Sequence, residues 1–101
     1  KTLLKPTGHV LCLIKPQFEA GKEKVGKKGV VRDPAVHEEV LQNFISLAKS
    51  LDFTIRNLTF SPVKGPEGNI EFLAHLSMQP GEDSYLAPGY LVAQAHAALK
   101  G

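Results

Sequence analysis

An uninterrupted apolar segment, Val-Leu-Cys-Leu-Ile at residues 10–14, restricts the fold of this chain more than any other feature. Its β-branched end residues favour a strand, which we place at residues 9–15. Because apolar side chains would emerge on both faces, the pattern predicts a central strand of a covered, parallel-type sheet. Pro16 ends the pairing because proline has no amide hydrogen to donate.

A helix is predicted to follow, after a long irregular segment at residues 17–32. Asp33 is a suitable N-cap and Pro34 a suitable first residue of that helix. Apolar residues then recur at helical spacing as far as Leu51. A second helix, at about residues 88–99, has the same kind of apolar stripe.

Two further strands are predicted at residues 53–60 and 69–77, and they pair most simply as an antiparallel hairpin. The alternation of the first one shifts by one position, which predicts a bulge near Arg56 and Asn57. The order of elements therefore predicts an α/β fold: a parallel βαβ unit, one antiparallel strand that ends the sheet, and flanking helices. Such a half-sheet has an exposed edge, which favours self-association.

Composition limits the classes of protein to which the chain can belong. Its 101 residues form at most one domain, and 43% hydrophobic with 22% charged residues is typical of a globular protein. No segment approaches the roughly 18 apolar residues of a membrane span. The single cysteine, Cys12, is interpreted as a small core residue and is compatible with an intracellular location. Leu3 and Leu4 are interpreted as the end of a helix that begins upstream, in a longer protein.

Lys15 and Glu71 are the candidate catalytic residues. Lys15 follows the apolar strand at its carboxyl end, where open α/β sheets bind ligands. Glu71 lies near the start of the last strand, so an antiparallel arrangement would bring it to the same edge. Lys-Glu pairs that are partly buried contribute little stability and are candidates for function. A solvated lysine and a salt bridge at the rim are the alternatives.

The segment between the first strand and the first long helix is strongly basic. Six cations and two carboxylates give residues 15–32 a net charge of +4, against +2 for the whole chain. The cations are Lys15, Lys22, Lys24, Lys27, Lys28 and Arg32. A basic loop beside a sheet edge suits a phosphate backbone, although a solvated loop is the alternative. No metal site is predicted, because the four histidines have no metal-ligand spacing.

Two blocks of this sequence resemble a known family. The first is LIKPQFEAGKEKVGKKGVVRDPAVHEEV at residues 13–40, and the second is SPVKGPEGNIEFLAHL at residues 61–76. Both blocks are similar to the TlyA proteins. These are FtsJ-like methyltransferases that are often labelled haemolysin A. The resemblance covers roughly residues 3–76 and implies the carboxyl-terminal part of a Rossmann-like methyltransferase domain. The S4-type RNA-binding domain and the half that binds S-adenosylmethionine would lie upstream.

The resemblance also implies a reaction and a place for the two candidate residues. The family transfers a methyl group from S-adenosylmethionine to a ribose 2'-hydroxyl of ribosomal RNA, which implies a cytoplasmic enzyme with the ribosomal subunit as its partner. Its catalytic group is a Lys-Asp-Lys-Glu tetrad. The second lysine belongs to the Lys-Pro-Gln-Phe-Glu block and falls on Lys15. The glutamate belongs to the Gly-Asn-x-Glu-Phe-Leu block and falls on Glu71.

Two other functions stay open at this point. An RNA-binding module without catalysis would use the basic segment alone. A membrane-active haemolysin is disfavoured, because neither helix opposes a strongly basic face to a bulky apolar one. Within the enzyme hypothesis, Lys15 could accept the hydroxyl proton or stabilise the developing alkoxide, and the sequence does not decide between these roles.

Overall fold

The chain forms a four-stranded antiparallel sheet with two long helices. The computed structural model describes residues 2–4, 8–21, 25–26, 29–79 and 81–99, with residues 2–4 and Pro66 described by their backbone alone. The strands are β1 (Thr2–Leu4), β2 (His9–Ile14), β3 (Thr54–Phe60) and β4 (Phe72–Ser77). The helices are the short α1 (Pro16–Glu19), then α2 (Pro34–Ser50) and α3 (Pro88–Ala98), with a 3-10 turn at Pro66–Gly68.

The position of the reversed strand differs from the predicted one. The order in the sheet is β1-β2-β4-β3, and β4 pairs antiparallel with both β2 and β3. The strands β2 and β3 therefore run in the same direction, as a βαβ unit requires, but β4 lies between them instead of ending the sheet. Helix α2 takes the chain from β2 past one strand position to β3. Strand β4, which follows the connection at residues 61–71, then occupies that position.

The first strand corrects a second prediction. Leu3 and Leu4 belong to β1, not to the end of a helix, and β1 pairs antiparallel with β2. Its register places Thr2 opposite Cys12 and Leu4 opposite Val10. The edge of β2 that was expected to be exposed is therefore paired over this stretch.

The bulge in β3 is confirmed. The pairing of β3 with β4 passes from Ile55 opposite Leu76 to Asn57 opposite His75, so the register shifts by one residue between Ile55 and Asn57. The shift keeps apolar side chains on the core face, because Ile55 and Leu58 are both buried. Without the extra residue, strict alternation would send one of them to the opposite face.

Helix α2 begins where its sequence predicts. The carboxylate of Asp33 accepts a hydrogen bond from the amide of Ala35 at 2.9 Å, and Pro34 occupies the first helical position. One stripe of the helix is buried against the sheet, comprising Val40, Leu41, Ile45 and Ala48. Helix α3 buries Leu91, Val92 and Ala95 in the same core. Both helices therefore cover one face of the sheet.

The opposite face of the sheet is less covered in the described part of the chain. Leu11 is 37% exposed and Leu73 is 39% exposed, and they line a groove of about 300 Å³. Cys12 is partly buried and packs against the core from the other side, as predicted. The sequence pattern of β2 predicted a sheet that is covered on both faces, whereas the described helices α2 and α3 cover one face.

The packing of α2 predicts different outcomes for two leucines on the same helix. Leu41 is fully buried, so Leu41→Ala is expected to lower the free energy of unfolding by about 2–5 kcal/mol. Leu47 is 59% exposed, and Leu47→Ala is the matched control, with an expected loss below about 1 kcal/mol. Urea unfolding followed by circular dichroism measures both. Equal losses would contradict the packing described here.

Candidate active site

The antiparallel pairing of β2 with β4 brings Lys15 and Glu71 to one edge of the sheet. The last registered pair is Ile14 opposite Phe72, and Lys15 follows the first as Glu71 precedes the second. On the other side of β4, the amide of Ser61 donates to the carbonyl of Glu71 at 2.8 Å, which fixes the backbone there. The predicted convergence at this edge is therefore confirmed for the backbone.

The Glu71 side chain is buried, at 6% exposure. Its carboxylate accepts a hydrogen bond from the Nε2 amide of Gln17 at 3.0 Å. Gly65 packs against the same carboxylate so closely that a β-carbon at position 65 would lie 3.0 Å from Oε1 and closer still to Oε2. The carboxylate is therefore in contact with both an amide donor and a glycine, and a larger residue at 65 would displace it.

Lys15 is partly buried and lies directly before α1. Its backbone amide donates to a carboxylate oxygen of Glu19 at 3.1 Å, which stabilises the first turn of α1. Its ammonium nitrogen lies 6.0 Å from the centroid of the Phe18 ring, at the outer limit of a cation–π contact. Among the described residues, the Lys15 ammonium and the Glu71 carboxylate form no ion pair within 4.0 Å. The pair predicted from the sequence therefore shares an edge without direct contact.

Gln17 is the residue of this site that the sequence analysis missed. It lies two positions after Lys15, within the block that carries the family resemblance. Nothing in the hydrophobic pattern marks it, because α1 is only four residues long. The signal that could have found it is a polar, non-ionisable side chain at the carboxyl end of a buried strand, where ligands bind.

A second group of residues surrounds a cavity of about 370 Å³ between the loop before α2, the loop before β4 and the end of α3. Arg32, Lys64 and His96 are among its lining side chains. The predicted RNA-binding residues Lys22, Lys24, Lys27 and Lys28 lie outside the described residues, so their role stays a prediction. The structure thus places Arg32 on a described concave surface.

Asn69 holds the loop before α2 against the loop before β4. Its side-chain oxygen accepts from the amide of Val31 at 2.9 Å, and its side-chain nitrogen donates to the carbonyl of Gly29 at 2.9 Å. Asn69 is 2% exposed, so these bonds satisfy polar groups that water does not reach. The position of Arg32, directly after Val31, depends on this buried amide.

His37 connects the same loop to α3. Its Nε2 lies 3.0 Å from the carbonyl oxygen of Val31, and a carbonyl only accepts, so Nε2 carries the hydrogen. Its Nδ1 lies 2.7 Å from Nε2 of His96. Burial and the neighbouring charge of His96 lower the pKa of His37 to about 4, so His37 is neutral at pH 7 and His96 donates to it. Burial also lowers the pKa of His96, and Lys64 adds to that effect.

The remaining histidines form a pair on the opposite face of the sheet. Nδ1 of His9 lies 2.7 Å from Nε2 of His75, and the two rings are 4.8 Å apart. Within residues 2–4, 8–21, 25–26, 29–79 and 81–99, no group of three His, Cys, Asp or Glu side chains is placed to hold a metal ion. Each ring of the pair therefore has the other as a hydrogen-bond partner.

Comparison with known proteins identifies the family of this chain. A model of FtsJ-like methyltransferases matches residues 2–78 of the chain. The chain belongs to the FtsJ-like methyltransferase family. The α/β fold class and the resemblance seen in the sequence are both confirmed by this match.

Relatives of this FtsJ-like chain include methyltransferases of ribosomal RNA. It is 54% identical over 82 residues to YqxC of Bacillus subtilis, covering 81% of the chain and 29% of that protein. It is 37% identical over 70 residues to TlyA of Mycobacterium tuberculosis, a 16S/23S rRNA (cytidine-2'-O)-methyltransferase, covering 69% of the chain and 26% of that protein. A protein of Brachyspira hyodysenteriae named Hemolysin A is 51% identical over 65 residues, which are 64% of the chain and 27% of that protein.

A solved structure shares the fold. A Streptococcus thermophilus protein named as a hemolysin superposes with a TM-score of 0.83 at 44% identity, over 97% of this chain and 36% of that one. The FtsJ-like chain thus spans less than a third of the curated relatives just described and about a third of this neighbour. In the described part of the chain, no helix has the length and apolar character needed to cross a membrane.

The residues described here do not form a site for S-adenosylmethionine, on which FtsJ-like methyltransferases generally depend. One cavity in the described part of the chain has Arg32, Lys64 and His96 among its lining residues. Another is the groove on the open face of the sheet. Neither contains a glycine-rich strand-turn-helix of the kind that cradles a nucleoside cofactor in Rossmann-like sheets.

The low pKa of His37 predicts how stability depends on pH. The folded state keeps His37 neutral down to about pH 4, whereas an unfolded histidine takes up a proton near 6.5. The unfolded state therefore binds more protons between these values, and the stability from neutral His37 is complete above about pH 6.5 and lost as the pH falls towards 4. The loss is expected to be of the order of 1–3 kcal/mol, since one pKa unit corresponds to about 1.4 kcal/mol.

Urea unfolding at intervals from pH 7 to pH 4 measures this dependence. His37→Gln keeps a side-chain donor for the Val31 carbonyl but does not titrate, so its stability is expected to change less over the same interval. His9→Gln, in the histidine pair on the other sheet face, is the control. Its free energy of unfolding should depend on pH as in the wild type, because His37 is unchanged. Parallel curves for His37→Gln and the wild type would contradict the assignment.

Proposed function

We propose that this chain is the carboxyl-terminal part of an FtsJ-like methyltransferase domain that methylates a ribose 2'-hydroxyl of ribosomal RNA. One observation carries the proposal: the pairing of Ile14 with Phe72 brings Lys15 and Glu71 to the same end of adjacent strands. The TlyA relative is named as an rRNA (cytidine-2'-O)-methyltransferase, which supports the choice of acceptor. Lys15 and Glu71 are the two members of the catalytic group that this chain contributes.

The chemistry of a ribose hydroxyl explains why a lysine and a glutamate suit this edge. A hydroxyl is a weak nucleophile at neutral pH, and its oxygen must lose a proton as it forms a bond to carbon. The Lys15 amine accepts that proton if it is neutral, or stabilises the developing alkoxide if it is charged. Glu71 is held by Gln17 and Gly65, and a carboxylate at this edge orients the lysine and tunes its charge.

The remaining partners are assigned to parts of a longer protein. We place S-adenosylmethionine, the other members of the catalytic group and an S4-type RNA-binding domain outside this chain. Arg32 is proposed to contact an RNA phosphate from the rim of the cavity that it lines. Self-association through an exposed sheet edge and a cytoplasmic location stay predictions.

Substitution of the two candidate residues in the full-length protein tests the catalytic assignment. Lys15→Met and Glu71→Gln preserve the approximate size of each side chain and remove its charge. Each is expected to lower methyl transfer to ribosomal RNA by a factor of roughly 10²–10⁴, the usual contribution of a general acid or base. Incorporation of tritium from labelled S-adenosylmethionine measures the rate.

Two exposed residues away from this edge supply the matched controls. Arg56→Gln and Glu82→Gln remove the same charges from side chains that lie in the solvent, and both should keep wild-type activity. Thermal unfolding establishes that the variants are folded. Retained activity in Lys15→Met would refute the role of that lysine. A wild-type rate that is independent of pH would favour the electrostatic role over the base.

Binding of RNA tests Arg32 separately. Arg32→Gln is expected to weaken binding of a ribosomal RNA fragment and to reduce the slope of log affinity against log salt by about one, as expected for one lost phosphate contact. Arg56→Gln removes the same charge from an exposed side chain of β3 that does not line the cavity, and is the control. Filter binding over a salt series measures both. An unchanged slope in Arg32→Gln would remove Arg32 from the interface.

A further inference from the structure

The arrangement of Lys15 and Glu71 contains a feature that the proposed reaction does not use. Lys15 directly follows and Glu71 directly precedes the last registered pair of two adjacent strands, a placement in which oppositely charged side chains can approach each other. In the described residues, however, the Glu71 carboxylate is bonded to Gln17, and the Lys15 ammonium lies toward the ring of Phe18. An uncharged amide therefore bonds the carboxylate, and the ammonium forms no ion pair with it.

The orientation of the Gln17 amide follows from its partner. An ionised carboxylate only accepts hydrogen bonds, so the amide must direct its nitrogen, not its oxygen, at Glu71. A rotated amide would place two acceptor oxygens 3.0 Å apart. The carbonyl oxygen of Gln17 is then left in a buried position with no hydrogen-bond partner among the described residues, the one side-chain atom there with this property.

The surroundings keep Gln17 in this place. Pro16 directly precedes it, is buried, and fixes the start of α1 against the end of β2. Gly65 packs against the same carboxylate, where a β-carbon would collide with it. Buried polar groups without partners are rare in folded proteins, and those that occur are frequently tied to function. The free oxygen of Gln17 is such a group, two residues from the candidate catalytic lysine.

We propose that Gln17 is a positioning residue that holds the Glu71 carboxylate apart from Lys15 and offers its own carbonyl oxygen to the Lys15 ammonium. The inference rests on the proposed function, because it assigns Lys15 to the reaction. The lysine side chain exchanges its weak contact with Phe18 for this oxygen, which gives the buried acceptor the donor that it lacks. The three side chains then form the chain Lys15, Gln17, Glu71.

The spacer changes how firmly Lys15 holds its proton. An ammonium bonded directly to a carboxylate is strongly stabilised in its charged form, whereas a neutral amide oxygen stabilises it less. The proposed spacer therefore spares Lys15 that direct stabilisation, while Glu71 still orients the group through the amide. A direct ion pair would keep the lysine charged and would raise the pH at which it serves as a base.

Two substitutions of Gln17 in the full-length protein test this inference. Gln17→Met preserves length but has neither donor nor acceptor, so Lys15 can pair directly with Glu71. The rise of kcat with pH is expected to move by about one unit to higher pH, with kcat at pH 7 reduced roughly tenfold. Gln17→Glu adds a second carboxylate of the same shape and is expected to move the rise further. A purely structural role for Gln17 would lower stability and leave the pH profile in place.

A crystal structure of the full-length Gln17→Met variant gives a readout that does not require activity. The Lys15 ammonium and the Glu71 carboxylate are expected within 4.0 Å of each other in the variant and further apart in the wild-type protein. Gln42→Met, on the exposed side of α2, is the matched control and should change neither the distance nor the profile.

The outcomes separate this inference from the proposed function. Separated charges in the Gln17→Met structure, or a profile like that of Gln42→Met, would overturn the spacer role even if Lys15→Met abolishes methyl transfer. An active Lys15→Met enzyme would instead refute the proposed function and, with it, the purpose of the spacer. A direct ion pair together with the shifted profile supports both.

Discussion

The pairing of Phe72 with two neighbouring strands is the constraint on which the rest of this structure depends. Phe72 is fully buried and stands opposite Ile14 of β2 on one side and Phe60 of β3 on the other. Because its side chain must enter the core, the register of all three strands is fixed at this point. A slip of one residue would turn Phe72 to the opposite face of the sheet. It would also move Glu71 away from Lys15.

The chemistry at this edge follows from the same constraint. The residue before Phe72 reaches the sheet edge while still buried, so its carboxylate needs partners that water does not supply. Gln17 provides a hydrogen-bond donor, and Gly65 provides room that no larger residue would leave. Both come from turns that follow or precede the strands. The core therefore sets the position of the carboxylate, and two short segments outside the strands set its surroundings.

A buried polar network connects this edge to the second cavity. Asn69, two residues before Glu71, bonds to the loop before α2, and His37 bonds to the carbonyl of Val31 in the same loop. The protonation of His37 is disfavoured by burial, so this network is intact at neutral pH. The loop that bears Arg32 is thereby fixed relative to the strand that bears Glu71. A surface proposed for RNA and a proposed catalytic residue thus share one rigid support.

The sequence by itself determined the features that rest on local physical chemistry. The cap at Asp33, the bulge before Asn57 and the apolar stripe of α2 depend on residues close together in the chain. The meeting of Lys15 with Glu71 at one edge also followed from the sequence, because it requires only that their strands be antiparallel. Tertiary structure decided the rest. The place of β4 between β2 and β3, and the pairing of β1, depend on competition among strands for edges, which no local pattern encodes. The role of Gln17 was decided in the same way, since an amide 54 positions from Glu71 becomes its partner only when α1 folds over the end of β2.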